Sequence, residues 1–464
     1  MYRHRARLCV HGGRQQEGID FEETYAPVVS WTTVRFLFIL ATIKGLASRQ
    51  IDYVQAFPQA QLDDEVYMQI PHGYNPPSDN NYVLKLDRNL YGLKQAAFNW
   101  FEHLKTGLEK RQFKQSTVDP CLFYSKDAIV LVYVDDTIIF AKDQKIITNL
   151  ITSLQDDFVL TDEGDVKSFL GVKIRHLSDG SIEFTQPTLI QNLIKTLGLE
   201  NESKLHDTPA VLRNPKHYCD ADNPREQTWN YRSAIGQLNY IAMNTRPDIS
   251  AAVHQCARFS AKPMHMHEEA VKRIGRYLKR TSQQGIIIKP DKTQTTLDCY
   301  VDADFAGNWN SEDADTPASV TSRTGFVVRY FGCPIMWVSK LQTEIALSTT
   351  EAEYIALSTA MRDLIPMKAL MSELQHVLSI PKSEVVCHSI LFEDNVGAET
   401  LANVPKTRPR TKHIAIKYHH FREHVKNGSI LVKHVDTKEQ LADIFTKPLP
   451  YVVFSTLRYK LMGW

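Results

Sequence analysis

The sequence has no CxxC pair, no apolar run long enough to span a membrane, no internal repeat and no low-complexity segment, and its charges nearly cancel. Each absence excludes something. Seven cysteines (Cys9, Cys121, Cys219, Cys256, Cys299, Cys333, Cys387) are scattered and odd in number, so neither a zinc ribbon nor a disulfide framework is expected. The thiols read as reduced, in an intracellular protein. The longest apolar run near the start, Phe36 to Thr42, is far short of a bilayer span and is followed by Lys44. No signal peptide is expected, because Met1 leads straight into Arg3, His4, Arg5 and Arg7. A formal net charge of +1 leaves any contact with nucleic acid to local basic patches rather than to the field of the whole chain.

What is present starts with size: 464 residues are too many for one core, so two or three domains are expected. Hydrophobic residues at 43% and charged residues at 23% are ordinary for a soluble globular protein. The most lopsided stretch is Ile129-Val130-Leu131-Val132-Tyr133-Val134-Asp135-Asp136-Thr137-Ile138-Ile139-Phe140, which reads as a buried hairpin whose turn carries two aspartates. Adjacent like charges between hydrophobic strands oppose folding unless something positive binds them, and a divalent cation would. An exposed Asp-Asp turn is the other reading. Asp52, the one acid in the apolar segment Gln50 to Phe57, poses the same choice between a buried functional acid and a strand end.

Thr32 or Thr33 is placed to cap a helix through Val34, Leu37, Phe38 and Ala41, ended by Gly45. Leu90-Tyr91-Gly92-Leu93-Lys94-Gln95-Ala96 opens another through Phe98, Trp100, Phe101 and Leu104, with Lys94 either meeting phosphates or simply solvated. Ser168 to Ile174 reads as one strand in which Gly171 marks a close backbone approach. Helical patterns follow from Leu189 to Leu197 and from Ile235 to Ala257. The run Lys272 to Arg280 has five cations and no acid in nine residues, which suits a phosphate backbone or a solvated helix face. From Leu297 onward strands and helices mix as in an α/β layer domain, with acids at strand ends (Asp302, Asp394) and on helices (Glu351, Glu353, Asp443).

In this order and spacing, Ile51-Asp52…Ala56-Phe57, Leu90-Tyr91-Gly92-Leu93-Lys94-Gln95-Ala96, Tyr133-Val134-Asp135-Asp136 and Phe169-Leu170-Gly171 resemble the reverse transcriptase of copia-type LTR retrotransposons. Tyr300-Val301-Asp302-Ala303-Asp304-Phe305-Ala306-Gly307, Ser348-Thr349-Thr350-Glu351-Ala352-Glu353-Tyr354, Glu393-Asp394-Asn395, Arg410-Thr411-Lys412-His413-Ile414 and Leu441-Ala442-Asp443-Ile444-Phe445-Thr446-Lys447-Pro448 resemble the ribonuclease H attached to it. The resemblance implies Asp52 and Asp135 as bridging ligands of two Mg²⁺ ions, or of Mn²⁺ in their place, with Asp136 as the ancillary carboxylate. It puts Phe57 under the nucleotide sugar, excluding a 2′-hydroxyl, has Lys94, Arg5 and Arg7 facing the triphosphate, and gives the primer end to Phe169, Leu170 and Gly171. In the second half it implies Asp302, Glu353, Asp394 and Asp443 around two further metal ions. Glu353 is preferred to Glu351 because Glu-x-x-Ala is met by Glu353 and Ala356. Asp304 is left as a supporting acid or a solvated loop residue. Lys272, Arg273 and Arg276, and the loop cations Lys406, Arg408 and Arg410, are the candidate contacts to a nucleic-acid backbone.

The fold class expected is α/β (α+β): a right-hand polymerase palm with partial fingers over 1–185, a thumb or connection over 186–293, and a ribonuclease H-like mixed α/β domain over 294–464. The function expected is RNA-directed DNA polymerase with RNA–DNA hybrid ribonuclease H activity, by two-metal phosphoryl transfer at each site. Expected partners are an RNA template, a DNA primer, the RNA–DNA hybrid, dNTPs and other retrotransposon polyprotein parts such as capsid and integrase, with no membrane. The expected location is a cytoplasmic retroelement particle, with the nucleus second. Ala97 stands where family members usually have proline, Ala415 where many have aspartate, and further fingers segments are missing upstream of Arg5-Ala6-Arg7-Leu8. The alternative is therefore a truncated, inactive relic that only binds nucleic acid. His420-Phe421-Arg422-Glu423-His424 also fits the H-x-x-E-H pattern of inverted zinc proteases, for which a third ligand would have to come from Asp436, Glu439 or Asp443.

Overall fold

The computed structural model describes residues 8–71, 73, 82–211, 228–307, 309, 317–374, 377, 389–404 and 419–464. The chain divides into two compact units, Met1–Ser30 with Gly45–Val166 and Ser372–Lys382, and Trp31–Lys44 with Lys167–Met371 and Ser383–Trp464. This differs from the expected three-part order. Residues 186–293 share a unit with 294–371 and 383–464, and the break falls at Val166 rather than near 185. The helix Trp31–Lys44 also joins the second unit, because Thr33 through Ala41 are all buried and a helix apolar on every side needs partners all round. Its Arg35 is buried too, donating to the carbonyls of Ile335 at 2.7 Å, Met243 at 3.2 Å and Asn244 at 3.1 Å and lying over the Trp337 ring. Burial lowers the Arg35 pKa to about 9.

The first unit contains strands β1 (Ala47–Tyr53), β2 (Tyr67–Gln69), β3 (Val83–Lys85), β4 (Lys114–Gln115), β5 (Leu122–Tyr124), β6 (Ala128–Tyr133), β7 (Asp136–Ala141) and β8 (Leu160–Gly164). Six form a sheet in the order β4-β5-β6-β7-β1-β8, and β2 pairs with β3 alone. Every residue from Ala128 to Val132 is buried, which is why the sequence shows a continuous apolar run there instead of alternation. Trp100, Leu104 and Leu108 of the helix Ala96–Glu109, and Ile147, Ile151 and Leu154 of the helix Gln144–Leu154, share one core with Ile51, Tyr53, Val130, Val132 and Ile139. Asp143 starts the second of these helices, its side chain accepting from the Ile146 N–H at 2.9 Å.

In the second unit β9 (Ser168–Phe169), β10 (Val172–His176), β11 (Ile182–Thr185) and β12 (Ile286–Ile288) form a sheet in the order β12-β11-β10-β9. The single strand expected over 168–174 is a tight hairpin, since Leu170 and Gly171 have φ of +48° and +75° and turn the chain back. The helical stretch expected over 235–257 is two helices, Tyr231–Asn244 and Ser250–Ala257, broken where Pro247 opens a 3-10 turn. The larger sheet contains β13 (Leu297–Asp304), β14 (Arg323–Tyr330), β15 (Cys333–Leu341), β16 (Ser389–Glu393) and β17 (Ile430–His434), in the order β15-β14-β13-β16-β17. β13 runs antiparallel to β14 and parallel to β16, and the helix Thr349–Leu374 lies between β15 and β16 in sequence.

Gly325 of β14 sits directly opposite Asp302 of β13. A Cβ there would lie 2.8 Å from Phe445 Cβ and 2.6 Å from Thr446 Cγ2, so a glycine is what lets the short helix Asp443–Thr446 settle onto the sheet. Gly325→Ala is expected to lift that helix and lower stability by about 1–3 kcal/mol. The urea midpoint of the full chain checks this, and an unchanged midpoint would show that the contact fixes nothing.

Candidate active sites

In the first unit, β1 lies between β7 and β8, and its register sets Asp52 opposite Asp136 on one side and Thr161 on the other. Directly opposed residues of antiparallel strands project to one face, about 4.5–5.5 Å apart at Cβ, so the two carboxylates share that face. The Tyr53 N–H donates to the Asp135 carbonyl at 3.0 Å and ties the same strand to the turn. That turn has only two residues, Val134 and Asp135, because Tyr133 pairs with Asp136. Val134 has φ of +53°, a strained value for a β-branched residue. Trp100, buried against Tyr53, donates its ring N–H to the Val134 carbonyl at 2.7 Å and holds the turn from below. Burial raises the Asp136 pKa, the hydrogen bond from Gln50 Nε2 at 3.2 Å opposes the rise, and Asp135 and Glu163 add to it. The half-buried acids Asp52, Asp135 and Asp136 thus come together through strand register and one strained turn.

Phe57 packs against the Tyr91 ring at 4.9 Å, half-buried. Lys94 Nζ lies 3.4 Å from the Gln15 carbonyl and 4.4 Å from the centre of the Phe21 ring, so its ammonium already has protein neighbours. Arg5 and Arg7 lie outside the described residues, as do Lys406, Arg408 and Arg410.

In the second unit, Tyr300 of β13 is level with Phe392 of β16 in parallel register. Asp302 lies inside β13 rather than at its end, and Asp394 comes just after the end of β16. Glu353 arrives from the helix Thr349–Leu374, and one oxygen each of Asp302, Glu353 and Asp394 lie within 4.8 Å of one another. Among the described residues this is where three such ligand atoms converge; Asp52, Asp135 and Asp136 do not meet that limit. The Asp443 carboxyl lies near enough to Asp302 for its charge to raise the Asp302 pKa. Lys447 Nζ lies 2.8 Å from Asp443 Oδ1 and 3.9 Å from Asp302 Oδ2, and the Thr446 hydroxyl donates to Asp302 Oδ2.

Glu351 is used differently. Its carboxylate accepts the Leu347 N–H at 2.7 Å, while its own N–H donates to Ser348 Oγ at 3.2 Å, so it caps the helix that carries Glu353. Burial raises the pKa of Asp302 to about 6, with Lys447 opposing and Asp443 adding. Burial also raises Glu353, reinforced by Glu393 and Asp302. Glu393, wholly buried beside Asp394, is raised by burial and lowered by the Asn395 N–H. Glu353 Oε2 and Glu393 Oε2 accept no hydrogen bond. Like-charged oxygens gathered with fewer donors than acceptors, and no nitrogen or sulfur ligand among them, fit a hard divalent cation. Sequence reasoning passed over Glu393, Thr446 and Lys447, although the adjacent pair Glu393-Asp394 repeats the Asp135-Asp136 signal. Asp304 ends β13 half-buried, its pKa raised by burial and by Asp302 against Lys447, so it is not a solvated loop residue.

The remaining predicted contacts are in the second unit. Phe169 is buried beside Trp31, and the Leu170 carbonyl accepts the Tyr240 hydroxyl. On the helix His265–Arg280, Lys272 pairs with Glu268 at 3.4 Å and Glu269 at 3.5 Å. Arg276 pairs with Glu202 at 2.9 Å, and Arg273 donates to Thr208 Oγ1 at 3.0 Å. Lys272 and Arg276 thus have their charge answered by acids within the protein, whereas Arg273 meets a neutral hydroxyl. His420 Nδ1 is 3.5 Å from Ser358 Oγ and His424 Nδ1 is 3.4 Å from Ser429 Oγ, and no zinc-like cluster joins them among the described residues.

The sign of the pH effect follows from Asp302. With a folded pKa of about 6 against an ordinary value near 4, the folded state keeps a proton that the unfolded state has lost between those values. In metal-free protein, stability should fall as pH rises from about 4 to about 6, and added Mg²⁺ should raise the melting temperature more at pH 7.5 than at pH 5. Melts of the full chain and of Asp302→Asn test this; the same slope in the variant would place the cause elsewhere.

A family model described as reverse transcriptase (RNA-dependent DNA polymerase) matches residues 1–211. The chain is 35% identical over 463 residues to the retrovirus-related Pol polyprotein from transposon RE1 of Arabidopsis thaliana, covering 99% of this chain and 30% of that one. It is 34% identical to the corresponding polyprotein from transposon TNT 1-94 of Nicotiana tabacum, covering 97% and 33%. It is 31% identical to the putative transposon Ty5-1 protein of Saccharomyces cerevisiae, covering 68% of this chain and all of that one. A solved structure, LC11-RNase H1 isolated from compost, aligns at 18% identity with a TM-score of 0.24, covering 33% of this chain and 94% of that one. The chain spans about a third of the length of the plant Pol polyproteins it matches. No helix among the described residues is long and apolar enough to cross a membrane. With Asp52 and Asp136 paired inside the matched segment, this chain belongs to the reverse transcriptase family of copia-type retrotransposon Pol polyproteins.

Proposed function

We propose that the chain is an RNA-directed DNA polymerase whose second unit cleaves the RNA strand of RNA–DNA hybrids, each site working with two Mg²⁺ ions. The observation that carries the reading is convergence: strand register sets Asp52 opposite Asp136 in the first unit, and one oxygen each of Asp302, Glu353 and Asp394 gather within 4.8 Å in the second. When bound, the divalent ions supply the charge that makes a primer hydroxyl or a water nucleophilic and steadies the leaving oxygen in an in-line displacement.

The protein's part is to hold and to orient. Asp52 and Asp135 are the proposed ligands of the polymerase site, with Asp136 ancillary and kept in place by Gln50. Phe57, braced by Tyr91, is the proposed wall against a 2′-hydroxyl. Lys94, with Arg5 and Arg7, is assigned to the triphosphate and would exchange the Gln15 carbonyl for phosphate oxygen. Phe169, Leu170 and Gly171 are assigned to the primer end. In the second unit Asp302, Glu353, Asp394 and Asp443 hold the ions. The hybrid backbone would meet Lys406, Arg408 and Arg410, and also Lys272, Arg273 and Arg276 where these leave their present partners. An RNA template, a DNA primer, dNTPs and other polyprotein parts such as capsid and integrase are the proposed partners, in a cytoplasmic particle.

Primer extension on an RNA template and cleavage of a labelled hybrid, measured separately with Mg²⁺, test both halves. Asp135→Asn should cut extension by at least about 10²-fold and leave cleavage intact, and Asp302→Asn should do the reverse. Hybrid binding with neither reaction in the unsubstituted chain would favour the relic instead.

A further inference from the structure

The four acids of the ribonuclease H-like site are not equivalent. Oxygens of Asp302, Glu353 and Asp394 converge within 4.8 Å, whereas Asp443 stands outside that group with the Lys447 ammonium 2.8 Å from its Oδ1. The same ammonium is 3.9 Å from Asp302 Oδ2, so it bridges the edge between these two carboxyl groups. A divalent ion binding that edge would sit about 2.1 Å from the oxygen that the ammonium already contacts. The two cations would compete for the same carboxylate charge and repel each other across it.

Lys447 is built to leave. Its backbone is fixed: it is extended at φ −142° and ψ 154°, as the residue before Pro448 must be, and its N–H donates to the Asp443 carbonyl at 3.3 Å. Its side chain is 38% exposed, and a lysine stem can carry the charge to water by changing rotamers while the main chain stays put. Thr446 also donates to Asp302 and orients that carboxylate independently of the lysine.

We propose that the Lys447 ammonium competes with the second divalent ion for the Asp302–Asp443 edge, so that the site fills in sequence. A first ion binds at Asp302, Glu353 and Asp394, and a second binds only as Lys447 withdraws. At low free divalent ion the site then holds one metal ion and one lysine. This rests on the metal-binding reading above, and Lys447 acts as a positioning residue that sets occupancy.

The test is Mn²⁺ binding by calorimetry and by electron paramagnetic resonance of the free ion, on the full chain carrying Asp135→Asn and Asp136→Asn to silence the other site. Two separated binding events are expected, and Glu353→Gln should delete the tighter one. Lys447→Ala should tighten the weaker event by about tenfold or more and leave the tighter one within about threefold, while Lys447→Arg should keep the gap. Metal-free melts report folding, and Lys447→Gln replaces the alanine variant if that one is unfolded. An unchanged second affinity without the lysine overturns the proposal with the metal reading intact. No Mn²⁺ binding at all, with Glu353→Gln indistinguishable, overturns both.

Discussion

Carboxylates held close together in places where water is scarce are the constraint from which the rest of this protein follows. Two unit charges about 4 Å apart repel by roughly 4 kcal/mol at the effective dielectric of a protein, and burial adds its own penalty to each. Free side chains would separate. Here they cannot, because Asp52 and Asp136 are locked by antiparallel pairing, and Asp302 lies on a strand paired in parallel with the one that Asp394 immediately follows. Hydrogen-bonded ladders supply the rigidity that the acids themselves work against. The raised pKa values of Asp136, Asp302, Glu353 and Glu393 all record that opposition.

Each site relieves the repulsion only in part. In the first unit Gln50 donates to Asp136 and the strain is carried by Val134, whose left-handed backbone is held by Trp100. In the second the relief is ionic, from Lys447 and the Thr446 hydroxyl, both on the chain that follows Asp443. Glu393 has the least help, one backbone N–H on one oxygen and nothing on the other, although it is wholly buried. A core tolerates such a group only where a positive ligand or a bound proton completes it.

What could be read from the residues was what local patterning controls. The β6–β7 hairpin was legible because a continuous apolar run interrupted by two aspartates has few other solutions, and the helix Trp31–Lys44 because its apolar residues and Gly45 bracket it. What lay beyond the residues was set by backbone conformation or by distant packing. Leu170 at positive φ makes a hairpin of an apparent strand, and nothing in leucine announces it. The grouping of residues 186–293 with the last sheet reflects burial among elements far apart in sequence, which periodicity does not report.

The choice between Glu351 and Glu353 shows why spacing alone could not decide the site. Residues two apart on a helix point about 200° from each other, so only one of the pair can face the sheet. Near a helix start, the other is free to turn back and satisfy exposed N–H groups, which is what Glu351 does. The two glutamates are thus complementary: one fixes where the helix begins, and that origin sets the angle at which the other meets Asp302 and Asp394. Gly325 plays the same kind of part from the opposite strand, since the missing Cβ lets Thr446 reach Asp302. Residues that never touch a ligand thereby determine where the charged ones stand, and a site built this way is as rigid as the sheet beneath it.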